Sequence, residues 1–265
     1  MSAPALNGAP SPNERRAIGV VGGLGPYAGL DLVRAIFDQT RAQHDQDHLP
    51  VALLSYPGRV PDRSAWLNAR ETAPTPIPAL QEILRRLDDA GTMVAGIPCN
   101  TAHAAPIFDA LLDGLAADGR ELTLLHMVDA IVDALDDVAP DAESVGVLAT
   151  SASIRNRLHE IGLEAAGRHA VVPDAQMQET VEASIFDPAW GLKAQSDPAS
   201  PQARAALLDA IDHVVEKGAQ AVILGCTELP LAIPEATVSG VPVISSTRAL
   251  ARALIQATHP EKLKG

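Results

Sequence analysis

Cysteine is nearly absent from this chain: 265 residues carry only Cys99 and Cys226. Two thiols are not a disulfide framework, and in a reduced compartment a rare cysteine is either small buried filler or a reactive group. Aromatic residues are scarce as well, with three Phe, two Trp and two Tyr, too few for the stacking platforms of single-strand nucleic-acid binders. The core must therefore be aliphatic. Positive charge is also short. Lys and Arg total 20 against 33 Asp and Glu, a net charge of −13, which excludes a counterion-releasing grip on phosphate and disfavours an anionic membrane surface. No run approaches the ~18 apolar residues of a membrane span. The first sixteen residues, MSAPALNGAPSPNERR, lack the apolar stretch of a signal peptide. The expectation is a cytoplasmic protein with neither nucleic-acid nor membrane partners, preceded by a disordered tail over residues 1–15 that is rich in Pro, Ala, Ser, Asn and Gly.

What is present is rhythm. Short apolar runs alternate with longer amphipathic stretches: AIGVVGG then DLVRAIFDQTRA, VALLSY then ALQEILRRLDDAG, MVAGIP then a helix opening at Asn100, LTLLHM then DAIVDALDDV. SVGVLAT, HAVVP, QAVILG and VPVIS continue the series as strands. This is the βαβα pattern of mainly parallel sheets wrapped by helices. Two segments also repeat at one spacing. Ile18-Gly19-Val20-Val21 matches Val145-Gly146-Val147-Leu148, and the run ending at Cys99 matches the run ending at Cys226, both 127 residues apart. The fold class expected is α/β, with two similar pseudo-twofold-related domains, each a mainly parallel sheet flanked by helices, and an active site in the cleft between them. Residues 17–121 with about 249–265 would form the first, and residues 122–248 the second.

Each cysteine ends a strand and precedes a helix or turn, in Pro98-Cys99-Asn100-Thr101-Ala102-His103 and Gly225-Cys226-Thr227-Glu228-Leu229-Pro230. A helix N-terminus favours thiolate through its dipole and unpaired N–H groups. Two thiols facing one cleft from opposite sides can remove a proton from one face of a tetrahedral carbon and return one to the other, which is stereoinversion. Asn100, Thr101 and Thr227 supply hydrogen bonds beside them. Other readings of the same residues are weaker. Cys99, His103 and Cys226, with Glu228 or His126, are possible zinc ligands but lack any C-x₂-C or H-x₃-H pair, so no metal is expected. Gly23-Leu24-Gly25-Pro26-Tyr27-Ala28 satisfies G-x-G-x-x-A, yet Val51 through Tyr56 holds no acidic residue to meet a ribose. The glycines read instead as a tight turn on the cleft floor. Pyridoxal phosphate needs a Schiff-base lysine, and the four lysines are Lys193, Lys217, Lys262 and Lys264, the last two near the C-terminus and Lys217 in a helix. No cofactor is expected.

The sequence resembles the aspartate/glutamate racemases, cofactor-independent two-cysteine enzymes. The carriers are Ile18 to Pro26, Asp45-Gln46-Asp47-His48, Pro61-Asp62-Arg63, Pro98 to His103, Leu148-Ala149-Thr150 and Gly225-Cys226-Thr227-Glu228. The resemblance implies Cys99 and Cys226 as the acid/base pair, an amino-acid substrate, and a homodimer. It implies further that Asn100, Thr101 and Thr227 bind the α-carboxylate and amino end, and that Arg63 and Lys193 meet carboxylates. Glu228, Thr150, Ser151 and Leu24 stand in the matching motifs and complete the expected substrate-binding set. Ser55 through Arg63 departs from the family pattern, one residue longer and with an added Arg59, which is either a bidentate partner for a distal carboxylate or a surface arginine beside a turn. Hydantoin racemases and maleate-type isomerases would reuse the same thiols, and a non-catalytic ligand-binding protein would reuse the frame. The segment from Asp187 to Pro201 is either a lid carrying Lys193 or a long connection.

Overall fold

A computed structural model describes residues 17–265; the expected tail over residues 1–15 lies outside them. Strands β1 (Ala17–Gly22), β2 (Val51–Ser55), β3 (Thr92–Gly96) and β4 (Thr123–Leu124) form a parallel sheet in the order β2-β1-β3-β4. Strands β5 (Ser144–Ala149), β6 (His169–Val171), β7 (Ala221–Gly225), β8 (Thr237–Val238) and β9 (Val241–Ser245) form a second in the order β6-β5-β7-β9-β8, parallel except for the β8/β9 hairpin. Every residue of β1 and β7 is buried. That is the condition under which parallel strands read as continuous apolar runs.

The repeat seen in the sequence is a repeat of register. Ile18 lies opposite Val94 in the first sheet, and Val145 lies opposite Ala221 in the second, each 127 residues after its counterpart. The two sheets therefore share the order of their first four strands. The match decays outward. Leu124 opposite Ala95 corresponds to Val243 opposite Val222, a spacing of 119.

Eleven α-helices are described: α1 (Pro26–Gln39), α2 (Arg63–Asn68), α3 (Ile77–Asp89), α4 (Ala105–Ala117), α5 (Met127–Val138), α6 (Ser151–Arg155), α7 (Leu158–Ala165), α8 (Ala175–Phe186), α9 (Pro201–Glu216), α10 (Leu229–Ala232) and α11 (Ser246–Thr258). The apolar period of α3 is typical, with Leu80, Ile83, Leu84 and Leu87 on one buried face. The expected helix at Asn100 is divided. Asn100–His103 is a 3-10 turn, and α4 starts afresh at Ala105 with Pro106 in its first turn, where a missing N–H costs nothing.

Helices α5 and α11 are exchanged between the sheets. α5 follows β4 of the first sheet but packs on α7 and β9 of the second, and α11 follows β9 but packs on α1, β1 and β3 of the first. The two helices also touch each other. As a result one apolar cluster runs from Ile18, Val20 and Leu32 through Ile131, Leu250 and Leu254 to Val145, Val147 and Ile223. Separate clusters cover the outer faces, under α3 and α4 on one side and under α8 and α9 on the other. Among the described residues no helix is long and apolar enough to cross a membrane.

Candidate active site

Cys99 and Cys226 stand just past the carboxyl ends of β3 and β7, the equivalent central strands of the two sheets. Parallel sheets bind ligands at that edge. Both thiols are buried and unbridged, and both line one small chamber of about 10 Å³ together with Leu24, Arg63, Asn100, Thr101, Thr150, Lys193, Thr227 and Glu228. Outside it lies a vestibule of about 610 Å³ whose walls include Gly23, Leu24, Gly25, Val60, Arg63, Lys193 and Glu228.

The chamber is sewn together from both sheets. The Thr227 hydroxyl donates to the Pro98 carbonyl at 3.1 Å. Thr101 and Ser153 hydroxyls meet at 3.2 Å, and Ser153 meets Thr150 at 3.0 Å. Thr150 is the N-cap of α6, accepting from the Ser153 N–H. Asn100 donates from Nδ2 to the Ser246 hydroxyl at 3.0 Å, and its Oδ1 lies 3.0 Å from Nε2 of His159.

The two thiols have unlike neighbours. Cys226 donates its S–H to Glu228 Oε2 at 3.0 Å. Glu228 Oε1 in turn accepts from Lys193 Nζ at 2.9 Å. Burial first, and then the Glu228 charge, push the Cys226 thiol well above the usual thiol range, with Lys193 only partly offsetting them. Burial opposes the charge on Glu228, but Lys193, the Cys226 S–H and Arg63 outweigh it and hold that carboxyl below its usual value. Burial likewise opposes the charge on Lys193, but Glu228 and Cys226 outweigh it and hold its pKa above the usual value. Arg63 attends the other thiol. Its guanidinium donates to the Leu24 carbonyl at 2.6 Å. Burial opposes its charge, yet attraction and a hydrogen bond to Cys99, with help from Asp62 and Glu228, raise its pKa. Arg63 Nε is buried with no partner among the described residues.

The glycine turn serves this arrangement. Gly25 has φ 140°, and a side chain there would run into the Glu228 carboxylate. The turn that looked like a phosphate cradle thus packs against a carboxylate of the chain itself. His103, four residues after Cys99, is structural: Nδ1 accepts from the Met127 N–H at 3.2 Å, so Nε2 donates to the Ile97 carbonyl at 3.0 Å, and the ring stacks on Phe108. Burial first, then His126, lower its pKa to about 3, which makes it a neutral packing group. Among the described residues no three His, Cys, Asp or Glu side chains gather as metal ligands do.

Ten of the twelve residues singled out from sequence line the chamber or its vestibule. Arg59 and Ser151 do not. Arg59 is exposed and lies over the Tyr56 ring at 5.3 Å, the surface-turn alternative. The Ser151 hydroxyl accepts from Gln178 at 3.3 Å and its N–H is taken by Glu182. Asn100, expected to meet substrate, has its amide engaged by Ser246 and His159. Ser153, His159 and Ser246 were not foreseen. Only Ser153 left a sequence signal, as a hydroxyl three residues into a helix opened by threonine.

The Asp/Glu/Hydantoin racemase family model matches residues 21–254. Among solved structures the chain is similar to an aspartate racemase from Picrophilus torridus, at 28% identity over 94% of this chain and 96% of that one, with a TM-score of 0.76. It is also similar to an aspartate racemase homologue from Pyrococcus horikoshii, at 22% identity over 92% and 99% with TM-score 0.68. A glutamate racemase from Francisella tularensis in complex with D-glutamate matches at 18% identity over 94% and 82%, with TM-score 0.62. At the last two identities the likeness concerns the fold alone.

Proposed function

This chain belongs to the Asp/Glu/Hydantoin racemase family, and on that premise we propose that it is a cofactor-independent amino-acid racemase, inverting an acidic amino acid of the aspartate or glutamate type by two-base proton transfer between Cys99 and Cys226. The observation that carries the reading is that its only two cysteines line one chamber at equivalent strand ends, each with charged partners of a different kind. In one direction a Cys99 thiolate takes the α-proton, and the Cα–H electron pair is delocalised into the substrate carboxylate. Cys226 then delivers its S–H proton to the opposite face, leaving Cys99 as thiol and Cys226 as thiolate, the states the other enantiomer needs. Arg63, with a buried Nε–H to spare, and Lys193 are the cations assigned to carboxylates, and Thr101 and Thr150 the donors that hold the developing charge, the Thr227 hydroxyl being given to the Pro98 carbonyl. Glu228 is reassigned from substrate binding to holding the Cys226 proton.

A chamber of about 10 Å³ has room for about one water, so substrate binding requires opening. The segment 187–201 carries Lys193, and its residues 193–198 line the vestibule, which supports the lid reading. The same reading includes two domains, 17–121 with about 249–265 and 122–248, except that Thr123–Leu124 pairs with β3 of the first sheet, which moves the first boundary past residue 124. It includes a homodimer, supported by Tyr27, Leu30 and Phe37 left exposed on α1, and a cytoplasmic location. The vestibule of about 610 Å³ favours one second reading, a bulkier substrate such as a hydantoin.

Alkylation tests the assignment. Iodoacetamide should abolish racemisation, and aspartate or glutamate should protect both thiols from it. Activity that survives complete alkylation of Cys99 and Cys226 would contradict it.

A further inference from the structure

His159 belongs to no part of the mechanism above, yet it touches both thiol-bearing turns. It sits in the first turn of α7 and is almost fully buried, at 1% exposed. Its Nε2 lies 3.0 Å from Oδ1 of Asn100, the residue after Cys99. The same edge of the ring lies against Gly225, the residue before Cys226. A Cβ built on Gly225 would come within 2.7 Å of His159 Cε1 and 2.9 Å of Nε2, so only glycine lets the ring sit there. Asn100 Nδ2 donates to Ser246, which turns Oδ1 toward the ring and requires Nε2 to carry the proton. One side chain from α7 thus joins the turn after β3 to the end of β7, which belong to different sheets.

We propose that His159 is a positioning residue that sets the spacing between the two thiols, by hydrogen-bonding Asn100 beside Cys99 and packing on Gly225 beside Cys226. The proposal rests on the racemase reading for its kinetic consequence, though not for its geometry. Two-base transfer demands that both sulfurs lie on the line through Cα, and a displacement of about 1 Å at a reacting centre costs roughly 100-fold in rate. The ring is neutral, its pKa lowered to about 4 by burial and then by His126, so it donates from Nε2 without bringing charge to the chamber.

Two variants separate the hydrogen bond from packing. His159→Phe keeps a ring against Gly225 but cannot donate to Asn100, and His159→Gln keeps a donor. The Phe variant should lose about 10–100-fold in kcat with KM changed less than about threefold, and the Gln variant should recover most of kcat. Thermal unfolding of each reports on folding. Cys99 alkylation, followed by mass spectrometry, should speed up in the Phe variant and return toward wild type in the Gln variant. Equal kcat and equal alkylation in wild type and Phe variant would overturn the proposal, as would a Gln variant no better than Phe. If wild-type protein turns over no amino acid, the racemase reading falls and the alkylation rates alone decide the positioning role. Should the Phe variant not fold, nitrogen-15 NMR of wild-type histidines decides: the proposal requires a neutral His159 protonated at Nε2, and the Nδ1 tautomer contradicts it.

Discussion

Glu228→Gln keeps a hydrogen-bond acceptor beside Cys226 while removing the charge that, after burial, does most to hold its thiol protonated. The pH profile of Cys226 alkylation should therefore shift downward in this variant, with Lys193 left unpaired and pulling the same way. An unmoved profile would show that Glu228 does not govern the thiol. Cys99→Ala and Cys226→Ala should each abolish racemisation in both directions while leaving the thermal midpoint near that of wild type; near-normal turnover in either contradicts the two-base mechanism. The sequence was most legible at this scale where chemistry and chain position coincide. Both cysteines, Thr101 and Thr227 lie just past the carboxyl ends of central strands, and Arg63 and Lys193 reach the chamber from loops or helix starts that motifs identify. Arg59 was ambiguous because a residue two positions after Pro57 can stack on Tyr56 or turn inward, and nothing local decides. His159 and Ser246 meet Asn100 across 59 and 146 residues of chain, a relation no spacing encodes.

Among the elements, β1 and β3 were readable as the counterparts of β5 and β7 because buried parallel strands cannot change register without turning their side chains to the other face. The edge strands and connections carry no such constraint, and there the two halves diverge. The exchange of α5 and α11 was not legible, since an amphipathic helix shows that it has an apolar face but not which sheet that face meets. It has an energetic consequence. Leu254 of α11 is fully buried in the cluster that spans both sheets. Leu254→Ala should destabilise the protein by about 2–5 kcal/mol and lower one shared unfolding transition rather than splitting it. Two separated transitions in urea would mean that the sheets fold independently despite the exchanged helices.

For the whole molecule, acid stability follows from the buried histidines. His103 and His159 have folded pKa values of about 3 and about 4, below the usual 6.5. Between those values and 6.5 the unfolded chain binds protons that the folded chain refuses, so their contribution is fully present above pH 6.5 and declines as pH falls. The loss is at most about 1.4 kcal/mol per pH unit for each histidine. The urea midpoint should accordingly be lower at pH 5 than at pH 7, and equal midpoints would mean that the rings ionise in place. Racemisation turns on a single bond, Cα–H, and proton NMR in D₂O reads it directly. Purified protein with reduced thiols and no added cofactor is incubated with L- and D-forms of aspartate, glutamate and a panel of other amino acids. The α-proton signal of an acidic amino acid should disappear from both enantiomers, chiral chromatography should find the opposite enantiomer forming, and no inversion should occur in the Cys99→Ala or Cys226→Ala protein. Retention of every α-proton by a folded, reduced wild-type protein would contradict the racemase reading.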